Sequence, residues 1–133
     1  MNKMKSEIRY IELKTGYADN GPAWIGSVKL SKSGSTVYFN NNAFCKCKGV
    51  SGNYYDVETY EEYWISGVKK DGSDRHWAGN GKVYIEKDVV ADYLAITGQQ
   101  SLNQRLYEIV DIPKEYPVDR INKLANRKWQ SLT

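Results

Sequence analysis

The chain has 133 residues, a length that favours one domain with enough apolar side chains for a hydrophobic core. Its composition, 41% apolar and 26% charged, is typical of a globular protein and argues against a disordered or fibrous chain. The formal net charge of +3 is small, and no stretch forms the strongly basic tail that often binds nucleic acids.

The sequence contains no apolar run near the roughly 20 residues that a membrane-spanning helix needs. The charged start MNKMKSEIRY lacks the apolar centre of a secretory signal. The two cysteines, Cys45 and Cys47, are only two residues apart, which is poor geometry for a disulfide within a strand. These features predict a cytoplasmic protein with reduced thiols and no membrane contact.

The first 87 residues read as strands and turns. A strand is predicted over 6–16, and the turn-forming stretch YADNGP follows it. Apolar and polar residues then alternate in AWIGSVKLSKSGSTVYF, which predicts a hairpin with its turn at 32–35. The NNNAF run at 40–44 is predicted to break or bulge the second arm.

Further strands are predicted after a loop at 49–53. They cover 54–57, 63–68 and 82–86, with a hairpin-like turn at 70–73. Contiguous hairpins favour a meander or an SH3-like barrel over a parallel sheet. The absence of strand–helix–strand alternation argues against Rossmann and P-loop folds.

The hydrophobic period changes to helical spacing in KDVVADYLAITG. A helix is predicted over 88–97, with Asp88 as its N-cap and Gly98 as its stop. Two more amphipathic helices, over 101–110 and 118–131, are predicted on either side of the proline-containing linker IPKEYP. Their apolar stripes must be buried on the barrel, on each other or on a second chain, so a homo-oligomer contact is one alternative.

The predicted fold class is α+β, a small bent antiparallel sheet or SH3-like barrel of five to six strands followed by C-terminal helices. Residues 1–98 are expected to form the barrel-like domain, with the helix at 88–97 closing it. Residues 99–133 are expected to form a helical extension that packs on this domain or on a partner.

A family resemblance rests on four stretches within residues 9–94: RYIELKTGYADNGPAWIG, SKSGSTVYFNNNAF, GNYYDVET and EEYWISGVKKDGSDRHWAG. Through them the chain resembles a family of short bacterial proteins of unknown function, and the resemblance implies no particular activity. Some members of that family carry the name of a thiamine-diphosphate-dependent synthase of isoprenoid metabolism. Such an enzyme needs several large α/β domains, and the sequence has no motif for a diphosphate with magnesium, so no cofactor is expected.

The stretch DRHWAGNGK contains the only histidine of the chain, His76. Its glycines and lysine have the wrong spacing for a P-loop. Together with Asp74 and Arg75, His76 is a candidate general base for a metal-independent hydrolase or nuclease. The alternative, which we favour, is a turn flanked by His76 and Trp77, because no second histidine is present to act as an acid. Cys45 and Cys47 lack the CxxC spacing of structural zinc sites, so no metal is expected.

Aromatic and polar side chains concentrate in the predicted loops, which a small barrel gathers at its ends. Such side chains stack on bases or hold a peptide. The candidate binding residues are Tyr17, Asn20, Trp24, Asn53, Tyr54, Tyr55 and Trp77. The predicted function is therefore a non-enzymatic binding or interaction protein for nucleic acid or peptide. The alternative is the hydrolase or nuclease that uses His76, and the acidic run at 58–62 argues against a continuous phosphate-binding track.

Overall fold

The computed structural model describes residues 5–14, 21–73 and 82–114, and the strands in these ranges form one eight-stranded sheet. The strands are β1 (Lys5–Leu13), β2 (Ala23–Leu30), β3 (Thr36–Phe39), β4 (Asn42–Lys46), β5 (Tyr54–Asp56), β6 (Glu62–Gly67), β7 (Val83–Glu86) and β8 (Tyr107–Val110). A 3-10 turn at Lys87–Val89 leads into the helix α1 at Val90–Thr97.

The first six strands form a closed antiparallel barrel. Each strand from β1 to β6 pairs with the next one along the chain, and β6 returns to pair with β1 between Arg9↔Gly67 and Leu13↔Tyr63. This closure pairs the first and last strands of the meander with each other, so the edges that an open sheet would expose are protected. The prediction of a small barrel is confirmed.

The barrel interior is filled by side chains from alternate positions of its strands, as the period of two requires. The buried members of this cluster are Ile11, Val28, Leu30, Val37, Phe39, Phe44, Tyr54, Tyr63 and Ile65. The rings of Phe44 and Tyr63 lie 4.6 Å apart in a tilted arrangement between β4 and β6.

A second core lies on the other side of the β1–β2 ribbon. There, side chains from β1 and β2 pack with those of β7, β8 and α1. The buried members are Tyr10, Ala23, Ile25, Val83, Ile85, Val89, Tyr93 and Tyr107. The hydroxyl groups of Tyr93 and Tyr107 are 2.9 Å apart, so α1 and β8 are joined by a buried hydrogen bond. The β1–β2 ribbon is therefore buried on both faces.

The last two strands form a βαβ unit, which the sequence analysis did not expect. β7 lies parallel to β2 in the register Ala23↔Val83, and β8 lies parallel to β7 in the register Val83↔Tyr107, with α1 between them in the chain. This is possible because β2, with eight residues, is longer than β3 and β7, with four residues each. Its first three residues pair with β7, while its last two pair with β3.

The predicted helix over 101–110 is wrong. A turn at 104–106, closed by a hydrogen bond from the Leu106 N–H to the Asn103 carbonyl (2.9 Å), leads into β8. Leu102 and Leu106 still pack on the second core, so the apolar stripe is buried without a helix. An oligomer contact at 101–110 would therefore be made by a strand and not by a helix. The other predicted helix, over 118–131, lies outside the described residues.

Three local predictions also need correction. The NNNAF run does not break the arm: Asn40 and Asn41, at φ 52° and 59°, form a two-residue hairpin turn, and β4 follows at once. The turn at 70–73 exists, but β6 and β7 are not paired with each other. Asp88 does not cap α1 but lies in the preceding 3-10 turn, whereas Gly98 ends the helix at φ 72° as predicted.

The phenol of Tyr63 is expected to make stability fall at high pH. Its burial, with smaller contributions from the carboxylates of Glu61 and Asp56, raises its pKa from 10.0 to about 12. Between these values the unfolded chain has lost the proton and the folded chain keeps it, so the free energy of unfolding decreases as pH rises.

Chemical unfolding between pH 9 and 12 tests this expectation, together with the absorbance of the phenolate. Tyr63→Phe should make the pH dependence shallower and remove a phenol that ionises well above pH 10. Tyr60→Phe, at an exposed position, should leave that late ionisation in place. Ionisation of Tyr63 together with the exposed tyrosines would contradict the proposed effect of burial.

Candidate functional site

Six of the residues selected from the sequence lie outside the described ranges: Tyr17, Asn20, Asp74, Arg75, His76 and Trp77. The hydrolase or nuclease built on His76 therefore stays a prediction, as do the contacts predicted for the loops that carry Tyr17 and Trp77.

Asn53 has a structural role at the start of β5. Its side-chain amide donates to the Ile65 carbonyl and accepts from the Ile65 N–H, both at 2.8 Å. The side chain thus imitates one more residue of the β5–β6 ladder. Replacing it would disturb the barrel as well as any ligand contact.

Tyr54 and Trp24 are largely enclosed by the barrel and its neighbours. The Tyr54 ring belongs to the barrel core, and its hydroxyl lies 3.5 Å from the Gly34 carbonyl. Trp24 is half-buried against the same core, with its ring 6.2 Å from that of Tyr84.

The outer surface of β5 and β6 carries three aromatic rings, which we call the aromatic wall: Tyr55, Tyr60 and Trp64. Tyr55 and Tyr60 are stacked, with centroids 6.4 Å apart and an interplanar angle of 12°. Tyr55 pairs with Glu62 across β5 and β6. Trp64 lies two residues beyond Glu62 on the same face of β6, so Trp64 is the diagonal neighbour of Tyr55. Trp64 is 42% exposed and Tyr60 is 60% exposed, which is unusual for such large rings.

Tyr60 occupies its turn in a strained conformation. Its φ is 63°, in the left-handed region that costs a non-glycine residue about 1–2 kcal/mol. The turn is held by Asp56, whose carbonyl accepts from the Tyr60 N–H at 2.8 Å and whose buried carboxylate accepts from the Glu58 N–H at 2.8 Å. The turn thus holds an exposed tyrosine at a positive φ that a glycine would adopt with less backbone strain.

Carboxylates border the aromatic wall at this turn. Glu58 and Glu61 flank Tyr60 and are exposed, whereas Glu62 turns away to accept the backbone N–H groups of Ser51 and Gly52 at 3.1 and 3.0 Å. Lys46 lies on the neighbouring strand β4 and pairs with Tyr54, whose ring belongs to the barrel core. Paired residues share a face of the sheet, so Lys46 does not lie on the outer face that carries the aromatic wall. The local charge at the turn is negative.

Two further carboxylates are buried, and their surroundings differ. Glu12 accepts one hydrogen bond from the Tyr10 hydroxyl and another from the Lys14 ammonium at 2.8 Å, so both of its oxygens have direct donors. Glu86 lies at the end of β7, and its Oε1 accepts from the Ser27 N–H at 2.8 Å. Its Oε2 has the Lys114 ammonium as nearest cation, at 3.6 Å.

Two adjoining cavities flank Lys114. The first, of about 140 Å³, is lined by Ser6, Ser27, Lys29, Phe39, Asn40, Glu86, Ile112, Pro113 and Lys114. The second, of about 280 Å³, is lined by Ser6, Glu7, Ile8, Ser27, Asp88, Val89, Asp92 and Lys114. The Lys114 ammonium lies 2.6 Å from the Asp88 carboxylate, which lowers the pKa of Asp88 and raises the pKa of Lys114.

The two cysteines are free thiols on the outside of the barrel. Cys45 pairs with Tyr55 across β4 and β5, and its Sγ lies 3.8 Å from the Thr36 hydroxyl. Among the described residues, no three His, Cys, Asp or Glu side chains are close enough together to hold a metal ion.

Comparison with protein-family models, with curated proteins and with solved structures gives no match to this chain. The resemblance of residues 9–94 to a bacterial family therefore stays a prediction. Within the described ranges, no helix is both long and apolar enough to cross a bilayer.

The sequence analysis selected Tyr55 but missed Tyr60, Trp64, Glu86 and Lys114. A signal for Trp64 was available, because the buried Tyr63 and Ile65 on either side of it require the opposite face of the strand. The burial of Glu86 had no sequence signal, because its carboxylate accepts a hydrogen bond from the backbone N–H of Ser27, which is 59 residues away in the chain.

Proposed function

We propose that this protein is a small β-barrel binding module that takes an extended, positively charged peptide segment of a partner protein on its aromatic wall. Tyr60 carries the proposal. It is stacked on Tyr55 and held at φ 63°, and 60% of it is exposed, so a turn position that favours glycine presents an aromatic ring to solvent. Strain at an exposed side chain is commonly found at functional sites.

Charge supports a peptide over a nucleic acid as the partner. The exposed carboxylates of Glu58 and Glu61 would repel phosphate groups but attract lysine or arginine. The rings of Tyr60 and Trp64 offer faces to the same cations and apolar area to the side chains between them. A segment with alternating basic and apolar residues fits both features.

The partner's backbone would not extend the barrel at this surface. β5 is paired with β4 and β6, and β6 is paired with β1, so their backbone groups are occupied along the described register. Recognition would therefore depend on side chains, with the exposed aromatic rings as anchors.

Replacing Tyr60 by glycine is expected to separate binding from stability. Relief of the backbone strain offsets the lost stacking on Tyr55, so the free energy of unfolding should change by less than about 1 kcal/mol. Affinity for a capped eight-residue peptide of alternating lysine and leucine should fall at least about tenfold, which corresponds to about 1.4 kcal/mol. Fluorescence anisotropy of the labelled peptide measures the affinity.

Three comparisons complete the experiment. Tyr60→Asn removes the ring but keeps a side chain that tolerates positive φ, so it should weaken binding to the same extent. Glu58→Gln with Glu61→Gln should weaken binding and reduce its dependence on salt. A peptide with glutamate in place of lysine should not bind. If oligo-dT of ten nucleotides binds in a Tyr60-dependent manner and the lysine peptide does not, the ligand is nucleic acid and the peptide proposal fails.

A further inference from the structure

Glu86 differs from Glu12, one of the two other buried carboxylates of the sheet. Both oxygens of Glu12 have direct donors, whereas Oε2 of Glu86 has no hydrogen bond from the described residues although only 3% of the side chain is exposed. An ionised carboxylate accepts about four hydrogen bonds, and burying it without them is costly. Among the described residues, the nearest donor to this oxygen is the Lys114 ammonium at 3.6 Å, beside the 140 Å³ cavity.

The cation nearest to that oxygen comes from a chain segment laid across the cavity. Ile112 packs on the barrel core, Pro113 follows it, and the Lys114 side chain reaches back between the two cavities. Its ammonium is 2.6 Å from Asp88 but 3.6 Å from Glu86, and 60% of its side chain is exposed. Lys114 thus satisfies the exposed carboxylate and only approaches the buried one.

The charges around the two cavities favour a cation. Their walls carry the carboxylates of Glu7, Asp88, Asp92 and Glu86 and the ammonium groups of Lys29 and Lys114, and Glu7 is also paired with the Arg9 guanidinium. With Arg9 included, four carboxylates face three cations, in a chain with a formal net charge of +3. The two cavities, of about 140 and 280 Å³, share Ser6, Ser27 and Lys114 in their walls.

We propose that these cavities form a binding site for a small primary alkylamine, and that Lys114 partly occupies it as an internal competitor. The ligand's ammonium would donate to Glu86 Oε2 and to the hydroxyl groups of Ser6 and Ser27. Its alkyl chain would lie against Phe39 and Ile112. The three N–H donors of an ammonium match this set of oxygens, whereas the described residues offer no group of three metal-ligating side chains.

This site is separate from the aromatic wall. It is built on β1, β2, β3 and β7, while the wall lies on β5, β6 and the turn between them. A failure of peptide binding would leave the amine site standing, and the reverse also holds.

Titration with n-butylammonium chloride tests the proposal, by calorimetry and by the amide NMR shifts of the full chain. Lys114→Ala removes the competitor and should raise the affinity at least about tenfold over the unchanged protein. The Ser27 amide should shift, because its N–H donates to Glu86. Lys82→Ala, at an exposed lysine that lines neither cavity, should leave the affinity unchanged.

Two further arms decide the outcome. In the Lys114→Ala background, Glu86→Gln should abolish binding, and tetramethylammonium, which has the charge but no N–H donor, should not bind. Equal affinity with and without Lys114, or equal binding of tetramethylammonium, would overturn the proposal. If Glu86→Gln does not fold, the Ser27 amide still decides, since a saturable titration that leaves it unmoved places the amine elsewhere.

Discussion

Replacing Phe44 by alanine is expected to lower the free energy of unfolding by about 3–5 kcal/mol, the range for deleting a buried aromatic ring. Phe44 is 1% exposed and contacts the ring of Tyr63 at 4.6 Å, so it joins β4 to β6 through the barrel interior. These strands are not neighbours in the sheet, so the contact between the two rings joins them through side chains alone.

Urea unfolding followed by tryptophan fluorescence measures this loss, and Trp64→Ala is the matched control. Trp64 has a larger ring than Phe44 but lies on the outer face of β6 and is 42% exposed. It should cost about 1 kcal/mol or less, as surface substitutions do. A larger loss for Trp64 than for Phe44 would contradict the register, because a shift by one residue exchanges the two faces of a strand.

A methyl group at Gly26 is expected to destabilise the protein by about 1–3 kcal/mol, the usual cost of overpacking. A Cβ at this position would lie 2.4 Å from Cε1 of Phe39 and 3.1 Å from Oε1 of Glu86. Gly26 lies between the two places where β2 pairs with different neighbours, β7 and β3. Its missing side chain makes room for an aromatic ring of the barrel core and for the buried carboxylate.

Thermal melts of Gly26→Ala and Gly67→Ala test this explanation. Gly67 also lies in a strand and pairs with β1, but a Cβ there would meet nothing within 4 Å. Its replacement by alanine should be neutral or stabilise by about 0.4–1 kcal/mol, because the unfolded chain loses freedom. Phe39→Leu should cost less in the Gly26→Ala background than alone. Additive effects would show that the two residues do not compete for space.

The amine site and Gly26 are linked through Glu86. Gly26→Ala would press on the carboxylate that accepts from Ser27, so it should weaken n-butylammonium binding as well as stability. Gly26→Ala should not change peptide affinity at the aromatic wall, because Gly26 lies in β2 and the wall is formed by β5, β6 and the turn between them.

The sequence by itself determined five of the six barrel strands, all except β4. The alternation of apolar and polar residues in β2, β3 and β6 is a local property, since successive side chains of a strand point to opposite sides. The end of α1 at Gly98 was equally local, because it needs only a residue that accepts positive φ. The Asn40–Asn41 turn had the same kind of signal, because asparagine tolerates positive φ, although the run was predicted to break or bulge the arm.

Only the tertiary structure decided the fate of residues 101–110 and the existence of the two candidate sites. Leu102, Leu106 and Ile109 satisfy a helical period, but β7 offered an unpaired edge, and pairing with it formed β8. Tyr60 became exposed because Asp56 fixes its turn, and Glu86 became buried because β7 lies beside a glycine in β2. Pairing between distant strands places β8 and Glu86, and a local pattern contains no information about which strands will meet.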